Sequence, residues 1–492
     1  MIQPAPSFRD PAGSCRFIGD RVLRVLHAES AANCEAFLQT DTARKFAARG
    51  QLVGTHRLTT AEAAALRESS APASAVGAPA EFLFEHERIG FPSYPYEWPP
   101  EMLWEAAELT LELAQSSAKD GYGLKDATPY NVLFRGGEAV FIDLPSFERR
   151  AEGDPVWLAY AQFVRTFLLP LLANRRWGIR MADIFITRRD GLEPEEVYKL
   201  CGGWERFKPQ ILSLVSIPTW LGNKARAQGE QLHQSRTLAN AEKGRFIFDS
   251  VLQRLRGALE SLKPPARKVS AWSDYMDNHG YDETAFKAKE KFVTESLGEF
   301  RPKRLLDVGA NTGYFSRLAA RAGAEVVAID SDPACVGALW RGAREEKANI
   351  LPLVLDLSRP SPALGWANAE CRSFLDRAAG AFDCVMALAV IHHLLVTERV
   401  PLEEILRLLS ELTTSLLIIE FVPPEDEMFR QLTRGREHLH ASLNEAAFEQ
   451  VCGVHFIILK SLQLPGSRRR LYSLRRKGPA VERGGQRISD GE

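Results

Sequence analysis

The stretch from Arg304 to Ala322 constrains the fold of this chain more than any other part of its sequence. Arg304-Leu-Leu-Asp-Val308 has the length and apolar character of a buried strand, and Tyr314 to Ala322 places apolar residues on one face of a helix. Gly323 follows as a C-terminal stop signal. This order predicts a strand followed by a helix packed against it, the repeating unit of an α/β protein.

A second unit of the same kind follows at once. Glu325 to Ile329 is predicted to be the next strand, and Ser331-Asp332-Pro333 provides a helix cap followed by a first-turn proline. Short apolar runs and helix-period segments continue to alternate toward the end of the chain. We therefore expect an α/β fold in this half, with a doubly wound parallel sheet covered by helices.

The turn between the first strand and its helix is Asp307-Val-Gly-Ala-Asn-Thr-Gly313. Gly309 and Gly313 allow the backbone to turn sharply and to approach a ligand closely, and Asn311 is the non-glycine type that most readily takes a positive φ. Such a turn is a platform for ligand binding. Glycine-rich turns also occur where their sole role is to let a helix pack closely, and this alternative stays open.

Two further acids follow the next strands. Asp330 ends the second strand at the edge where doubly wound sheets bind ligands, and a carboxylate there can accept both hydroxyls of a ribose. Asp356 follows the apolar run 350–355 and can accept from an adenine amino group. Three acids at successive strand ends thus outline a nucleoside. The glycine pattern of dinucleotide folds is not met, because Asn311 and Tyr314 occupy its second and third glycine positions.

With these positions, the half from Trp272 to Lys477 resembles class I S-adenosylmethionine-dependent methyltransferases. The resemblance extends to the fourth-strand segment 382–394, and the family usually has a third glycine where this chain has Asn311. It implies a Rossmann-like sheet whose last strand is antiparallel, formed here by the apolar runs 456–464 and 471–474. It also implies S-adenosyl-L-methionine as the cofactor.

The same resemblance implies a set of cofactor contacts. The loop would hold the methionine part, Asp330 the ribose, and Asp356 with Leu357 the adenine. The residues assigned to the cofactor site are therefore Asp307, Gly309, Asn311, Gly313, Asp330, Asp356, Leu357 and Ala387.

Methyl transfer is an in-line displacement on a sulfonium. The protein mainly supplies alignment, exclusion of water and, where the acceptor must lose a proton, a base. His392 and His393 follow the fourth strand, where the transferred methyl should lie, and imidazole titrates in the useful range. Glu420 ends the next strand and is the third catalytic candidate. Each has a structural alternative: a helix cap or packing for the histidines, and a hydrogen-bond acceptor for Glu420.

The residues after the fourth strand bear on the acceptor. The Asn/Asp-Pro-Pro-aromatic signature of enzymes that methylate the amines of bases is absent, and Ala387-Leu-Ala-Val-Ile stands in its place. A formal net charge of -1 gives no global attraction to nucleic acid or to an anionic membrane. The basic residues at 468–470 and 475–477 are expected to be solvated edge protection. We expect a small or carrier-borne acceptor, methylated at oxygen or nitrogen, rather than nucleic acid or membrane; the oligomeric state stays open.

In the first half, one group of residues has a spacing that is typical of a catalytic site. Asp126 and Asn131 have the D-x-x-x-x-N spacing of a kinase catalytic loop, and Asp143 follows a short hairpin, where a metal-binding aspartate is expected. This segment resembles protein kinases and aminoglycoside-phosphotransferase-like enzymes. The resemblance implies an α+β, mostly helical domain, with Asp126 as the base and Asn131 and Asp143 as Mg²⁺ ligands.

The segment also departs from that pattern. Leu124 replaces the usual histidine, and Leu144-Pro145 replaces Phe-Gly. No glycine-rich hairpin is visible upstream, and Lys45 lies in a helix-like stretch rather than on a strand. Without a lysine on the phosphates, phosphoryl transfer loses one of its main electrostatic supports. We interpret this half as a reduced kinase-like domain that holds the acceptor; a chance match of one loop is the alternative.

Tandem prolines within 261–268 divide the chain. We expect a kinase-like domain over residues 1–262, a methyltransferase domain over 263–477 and a disordered tail over 478–492. Seven scattered cysteines are typical of a reducing cytoplasm and provide no zinc site, and no signal peptide or membrane span is visible. The prediction is a cytoplasmic enzyme similar to bacterial nodulation or specialised-metabolism methyltransferases. Its alternatives are a bifunctional methyltransferase and Mg²⁺-ATP phosphotransferase, or a non-catalytic nucleoside-binding protein.

Overall fold

The structure is a computed structural model that describes residues 10–69, 79, 82–228, 240–265 and 283–478. The chain divides into two compact units, Met1–Pro265 with Leu364–Cys371, and Ala266–Ala363 with Arg372–Glu492. The tail that was expected to be disordered lies outside the described residues, apart from Gly478.

The first unit combines short antiparallel strands with many helices. Its strands are β1 (Gly13–Ile18), β2 (Arg21–Leu26), β3 (Thr55–Arg57), β4 (Leu83–His86), β5 (Tyr122–Leu124), β6 (Val132–Arg135), β7 (Glu138–Phe141) and β8 (Phe147–Arg149). Its helices are α1 (Ala28–Leu38), α2 (Asp41–Ala48), α3 (Thr60–Ser69), α4 (Pro100–Lys119), α5 (Tyr160–Phe163), α6 (Leu169–Trp177), α7 (Met181–Phe185), α8 (Pro194–Leu200), α9 (Pro209–Ile211), α10 (Ile217–Gln228) and α11 (Ala241–Ser261). Among the described residues, one sheet has the order β1-β2-β4-β3, and β5 pairs with β8 and β6 with β7.

Helix α4 organises the core of this unit. It packs against α11, β5 and β7, and most of its apolar side chains are buried. The indole nitrogen of Trp104 on α4 donates a hydrogen bond to the carbonyl of Leu259 on α11 at 2.9 Å. Within the same unit, Glu370 from the segment Leu364–Cys371 forms an ion pair with Arg189.

The β1–β2 hairpin is a feature that the sequence analysis missed. Its two strands pair antiparallel from Gly13 opposite Leu26 to Ile18 opposite Arg21, and Gly19 takes a positive φ of 57° in the turn. Charged residues interrupt the apolar alternation of both strands, which hides the strand pattern. One of these residues, Arg24 on β2, is buried.

The second unit is built on a mixed sheet with helices around it. Its strands are β9 (Arg304–Val308), β10 (Glu325–Asp330), β11 (Ile350–Val354), β12 (Phe382–Ala387), β13 (Thr413–Phe421), β14 (Phe456–Gln463) and β15 (Arg470–Arg476). Its helices are α12 (Glu283–Phe300), α13 (Tyr314–Arg321), α14 (Pro333–Glu345), α15 (Phe374–Ala378), α16 (Ile391–Val396), α17 (Leu402–Leu412), α18 (Glu427–Thr433) and α19 (Glu445–His455).

The strand order in the described sheet is β11-β10-β9-β12-β13-β15-β14. Strands β9 to β13 are parallel, and β15 runs antiparallel to both of its neighbours. The predicted doubly wound sheet with an antiparallel last strand is therefore confirmed. The order reverses at β9, so the carboxyl ends of β9 and β12 form the switch point at which such sheets bind ligands.

The glycines of the turn after β9 are required by close contacts. Gly313 has a φ of 80°, and a Cβ on it would lie 2.0 Å from Cδ1 of Leu339 on α14. Gly309 has a φ of 72°, and a Cβ there would lie 3.0 Å from Cγ2 of Val390. Both a left-handed backbone and lack of space thus exclude larger residues.

Among the residues that the structure describes, no helix combines the length and the apolar composition needed to cross a membrane.

We expect Gly313→Ala to lower the free energy of unfolding of the second unit by about 2–4 kcal/mol, because the new Cβ meets Leu339 and strains the backbone. Differential scanning calorimetry of the full chain measures the change as a lower Tm. Gly298→Ala is the matched control: Gly298 lies in the exposed interior of α12 with nothing within 4 Å of its Cβ position. There the substitution should stabilise by about 0.5–1 kcal/mol. An unchanged Tm for Gly313→Ala would contradict the packing argument.

Candidate functional site

The loop after β9 is attached to the end of β10 by three consecutive backbone amides. The N–H groups of Gly309 and Ala310 both donate to the carbonyl of Ile329, at 2.9 and 3.0 Å. The N–H of Asn311 donates to Oδ2 of Asp330 at 2.8 Å. Asn311 has a φ of 51°, in the left-handed region. The structure therefore brings the glycine-rich loop and Asp330 into direct contact.

The Asp330 carboxylate is oriented by the backbone on both sides. Its Oδ1 accepts the N–H of Asp332 at 2.9 Å, while Oδ2 binds the loop. Burial raises the pKa of Asp330, and the backbone hydrogen bonds oppose that rise. Each carboxylate oxygen can accept two hydrogen bonds, so acceptor capacity remains on both for the hydroxyls of a ribose.

Asp307 lies deeper than Asp330. It is buried at the end of β9, and its Oδ2 accepts the hydroxyl of Ser316 on α13 at 2.6 Å. Burial raises the pKa of Asp307 to about 7, with the nearby charge of Asp330 acting in the same direction. Asp307 thus ties β9 to α13 from beneath the loop.

Asp356 follows β11, next along the sheet from Asp330. Its Oδ1 accepts both the N–H and the hydroxyl of Ser358, at 2.9 and 2.6 Å. Leu357 beside it is buried. The structure places Asp307, Asp330 and Asp356 at the carboxyl ends of three neighbouring parallel strands.

The segment after β12 carries the histidine pair. Ala387 ends β12 and is fully buried, and Ala389 takes a positive φ of 53° before α16 begins. His392 and His393 lie in the first turn of α16, with ring centroids 4.2 Å apart. Both follow the strand that meets β9 at the switch point.

The two histidines differ in burial. His392 is only 2% exposed, and among the described residues its Nδ1 has no hydrogen-bond partner. Burial and the neighbouring His393 hold the pKa of His392 well below its usual range. His393 is half-buried, and burial together with the charge of Arg469 lowers its pKa. Both rings are therefore neutral near pH 7, as a proton acceptor must be.

Glu420 lies in a buried network of charges. It is fully buried on β13, and its Oε2 is 2.6 Å from Nζ of Lys289 on α12. Its Oε1 is 3.7 Å from the guanidinium of Arg469. That guanidinium also binds Asp426 through two hydrogen bonds of 2.7 and 2.9 Å. We refer to Lys289, Glu420, Arg469 and Asp426 as the buried charge network.

No local pattern in the sequence indicated this network. Arg469 belongs to a basic cluster that was expected to be solvated, yet it is only 4% exposed and lies just before β15. The sequence analysis did not single out Asp426, which also caps α18 by accepting the N–H of Met428. The partners come from sequence positions more than 40 residues apart, so no local pattern connects them.

In the first unit, the structure brings together the residues of the kinase-like segment. The amide of Asn131 donates to the Asp126 carbonyl at 3.4 Å and to the hydroxyl of Ser146 at 3.2 Å, and Ser146 in turn binds Asp143. The sequence analysis missed Arg24, whose guanidinium is 2.8 Å from Oδ1 of Asp143. Asp143, which was expected to bind a metal ion, thus forms an ion pair with Arg24.

Arg24 is a buried cation with two acidic partners. It binds Asp10 at 3.1 Å in addition to Asp143.

Desolvation by burial raises the pKa of Asp126, and the negative charge of Asp143 raises it further. Among the described residues, no group of three His, Cys, Asp or Glu side chains is arranged to hold a metal ion.

Comparisons with known proteins agree with this geometry. A family model described as "Methyltransferase domain" matches residues 279–452. The nodulation protein NoeA of Rhizobium meliloti strain 1021 is 32% identical over 477 residues, which cover 96% of this chain and 96% of that protein.

Two solved methyltransferases are similar to part of the chain. One is the magnesium protoporphyrin IX methyltransferase of Synechocystis PCC 6803 with bound SAH, which is 22% identical, with 39% of this chain and 84% of that chain covered and a TM-score of 0.29. The other is the N-methyltransferase NodS of Bradyrhizobium japonicum WM9, 14% identical, with 40% of this chain and 99% of that chain covered and a TM-score of 0.30.

The sheet, the glycine-rich loop and the family match define an S-adenosyl-L-methionine-dependent methyltransferase. This confirms the predicted reaction class and cofactor. The match along nearly the whole length further shows that the chain belongs to the family of nodulation protein NoeA.

We expect Asp330→Ala to weaken S-adenosylmethionine binding by about 1.5–3 kcal/mol, since charge-assisted hydrogen bonds to the ribose are lost. Isothermal titration calorimetry of the full chain measures the affinity. Asp383→Ala is the matched control, because Asp383 also accepts two backbone N–H groups, from Lys303 and Arg304, but at the opposite end of the strands. Equal affinity of Asp330→Ala and the wild type would remove Asp330 from the site.

Proposed function

We propose that the second unit transfers a methyl group from S-adenosylmethionine to an oxygen or nitrogen of a small or carrier-borne acceptor. The cofactor would lie across the carboxyl ends of β9, β10 and β11, with the loop 307–313 at the methionine part, Asp330 at the ribose, and Asp356 with Leu357 at the adenine. The observation that carries this proposal is the 2.8 Å hydrogen bond between the loop amide of Asn311 and the Asp330 carboxylate. It joins the two assigned cofactor contacts into one preformed surface.

In the reaction, a lone pair of the acceptor attacks the methyl carbon, and the carbon–sulfur bond breaks with its electron pair going to sulfur. S-adenosylhomocysteine is the second product, and the proton of the acceptor goes to a base. We assign this base to His393, because its ring is half-exposed at the switch point and its pKa is lowered less strongly than that of His392. His392, almost fully buried against His393, acts as a positioning residue.

Glu420 is better placed to position other groups than to accept the proton. Both of its oxygens face cations, Lys289 on one side and Arg469 on the other. Protonating such a carboxylate would remove the negative charge that Lys289 and Arg469 face in a buried place, which is costly. We therefore assign Glu420 to the framework that holds α12, β13 and the residues before β15 together.

For the first unit, we propose a reduced kinase-like domain that selects or holds the acceptor. The ion pair between Arg24 and Asp143 opposes phosphoryl transfer, because a Mg²⁺ ion at Asp143 would have to displace a buried guanidinium. The similarity to NoeA of Rhizobium meliloti extends over both halves of the chain, which supports a common role for the two units.

The methyl acceptor is found by incubating a cell extract with the full chain and methyl-labelled S-adenosylmethionine and searching by mass spectrometry for the mass gain of one methyl. We expect repeated turnover, and His393→Gln should lower kcat by about a hundredfold or more at unchanged cofactor affinity, since general-base catalysis contributes about 10²–10⁴-fold. Full activity of His393→Gln would assign the base elsewhere, and no labelled product with the wild type would contradict the proposed function.

For the first unit, we expect Mg²⁺-ATP to leave the Tm of the full chain unchanged, since Arg24 neutralises the aspartate that would bind the metal. Thermal shift measurements with ATP, with and without Mg²⁺, check this. A Mg²⁺-dependent rise in Tm that Asp143→Asn abolishes would instead support the bifunctional alternative.

A further inference from the structure

A cavity of about 280 Å³ lies in the second unit beside the proposed catalytic histidines. Its apolar wall includes Leu395 and Val396 on α16 and Leu432 on α18. Arg399, Arg436 and His440 supply its polar groups. We refer to this cavity as the arginine pocket. Its size is at the lower end of the range for small-molecule sites, so it suits a compact group.

The arginine pocket begins one helical turn from the histidine pair. His392 and His393 lie in the first turn of α16, and Leu395 and Val396 follow three residues later on the same helix. Residues three and four apart lie on the same side of a helix, about 5 Å apart along its axis. The wall of the pocket on α16 thus begins one helical turn after the proposed base.

The other wall of the pocket is attached to the buried charge network. Asp426 caps the first turn of α18 and binds Arg469, which in turn faces Glu420. Leu432 and Thr433 of the pocket lie at the far end of the same helix. The network thus anchors the first turn of α18, a helix that packs against α16.

The charges of the pocket are cationic. Among the described residues, neither Arg399 nor Arg436 has a carboxylate within 4.0 Å. The acids nearest to them in sequence have other partners: Glu398 binds Arg359 at 2.6 Å, and Glu437 accepts the N–H of Gly435 at 3.0 Å. Both arginines are exposed, so their guanidinium groups lie in solvent at the edge of the apolar cavity, where they can form charge-assisted hydrogen bonds with an anionic ligand.

The backbone at Arg399 is left-handed. Arg399 has a φ of 58°, and the next residue, Val400, donates its N–H to the carbonyl of Leu394 at 2.9 Å. This is the position after a helix end at which glycine is usually found. An arginine there costs on the order of 1 kcal/mol relative to glycine, so glycine can replace Arg399 without backbone strain.

We propose that the arginine pocket binds the methyl acceptor and that Arg399 and Arg436 hold an anionic group of that acceptor, a carboxylate or a phosphate. The apolar wall next to α16 then contacts the part of the acceptor between this anion and the methylated atom. This inference rests on the proposed methyl transfer at the histidine pair and adds the chemical class of the acceptor.

The pocket is tested on the full chain with 1-anilinonaphthalene-8-sulfonate, an apolar anion whose fluorescence reports binding. We expect Arg399→Gln and Arg436→Gln each to raise its dissociation constant about three- to tenfold. Arg434→Gln is the matched control, an exposed arginine of the same segment that does not line the cavity. The neutral analogue N-phenyl-1-naphthylamine should bind wild type and variants alike. Equal affinities of the sulfonate for wild type, Arg399→Gln and Arg436→Gln, or an equal loss in Arg434→Gln, would overturn the proposal.

The variant Arg399→Gly distinguishes an effect of the arginine's charge on ligand binding from an effect on folding. Glycine fits the left-handed backbone, so this variant should keep or raise the Tm of the second unit while losing the sulfonate affinity to the same extent as Arg399→Gln. Retained sulfonate affinity in Arg399→Gly would show that Arg399 has only a structural role and would contradict the proposal.

The acceptor itself is tested by passing the methyl-labelled product of an extract over an anion-exchange column. Retention at neutral pH supports the inference; loss of retention after phosphatase treatment identifies a phosphate, and unchanged retention a carboxylate. A labelled product that is not retained would overturn the inference while leaving methyl transfer in place. Absence of any labelled product would contradict the proposed function itself.

Discussion

The hydrogen bond between the Asn311 amide and the Asp330 carboxylate is the contact on which the methyltransferase half depends. Together with the two amides that bind the Ile329 carbonyl, it attaches the loop of one βα unit to the strand end of the next. Three successive amides can point in this way only because Gly309 and Asn311 have positive φ values. The same contact orients the Asp330 carboxylate, so loop and acid form one continuous surface.

The buried charge network performs the corresponding task on the other side of the switch point. Burying Lys289, Glu420, Arg469 and Asp426 costs free energy that their mutual hydrogen bonds offset only when the geometry is right. The network therefore contributes to the specificity of the arrangement of α12, β13 and α18 more than to stability. Burial lowers the pKa of both histidines, and the charge of Arg469 lowers it further.

In the first unit, Asp126, Asn131 and Asp143 lie close together, as the spacing of the segment predicted. A buried arginine on β2, Arg24, forms an ion pair with Asp143 that the sequence analysis did not predict. The relative NoeA matches this chain over both of its halves.

The sequence by itself determined the strands of the second unit and the helices α13 and α14, because apolar period, caps and glycines are local signals. It also determined the acids at the strand ends, since parallel strands bring their carboxyl ends to one edge. Only the tertiary structure decided that Arg469 is buried, that Arg24 meets Asp143 and that Arg399 and Arg436 share a cavity. These contacts join positions far apart in the chain, and a charged residue in a sequence carries no sign of the partner that burial will require.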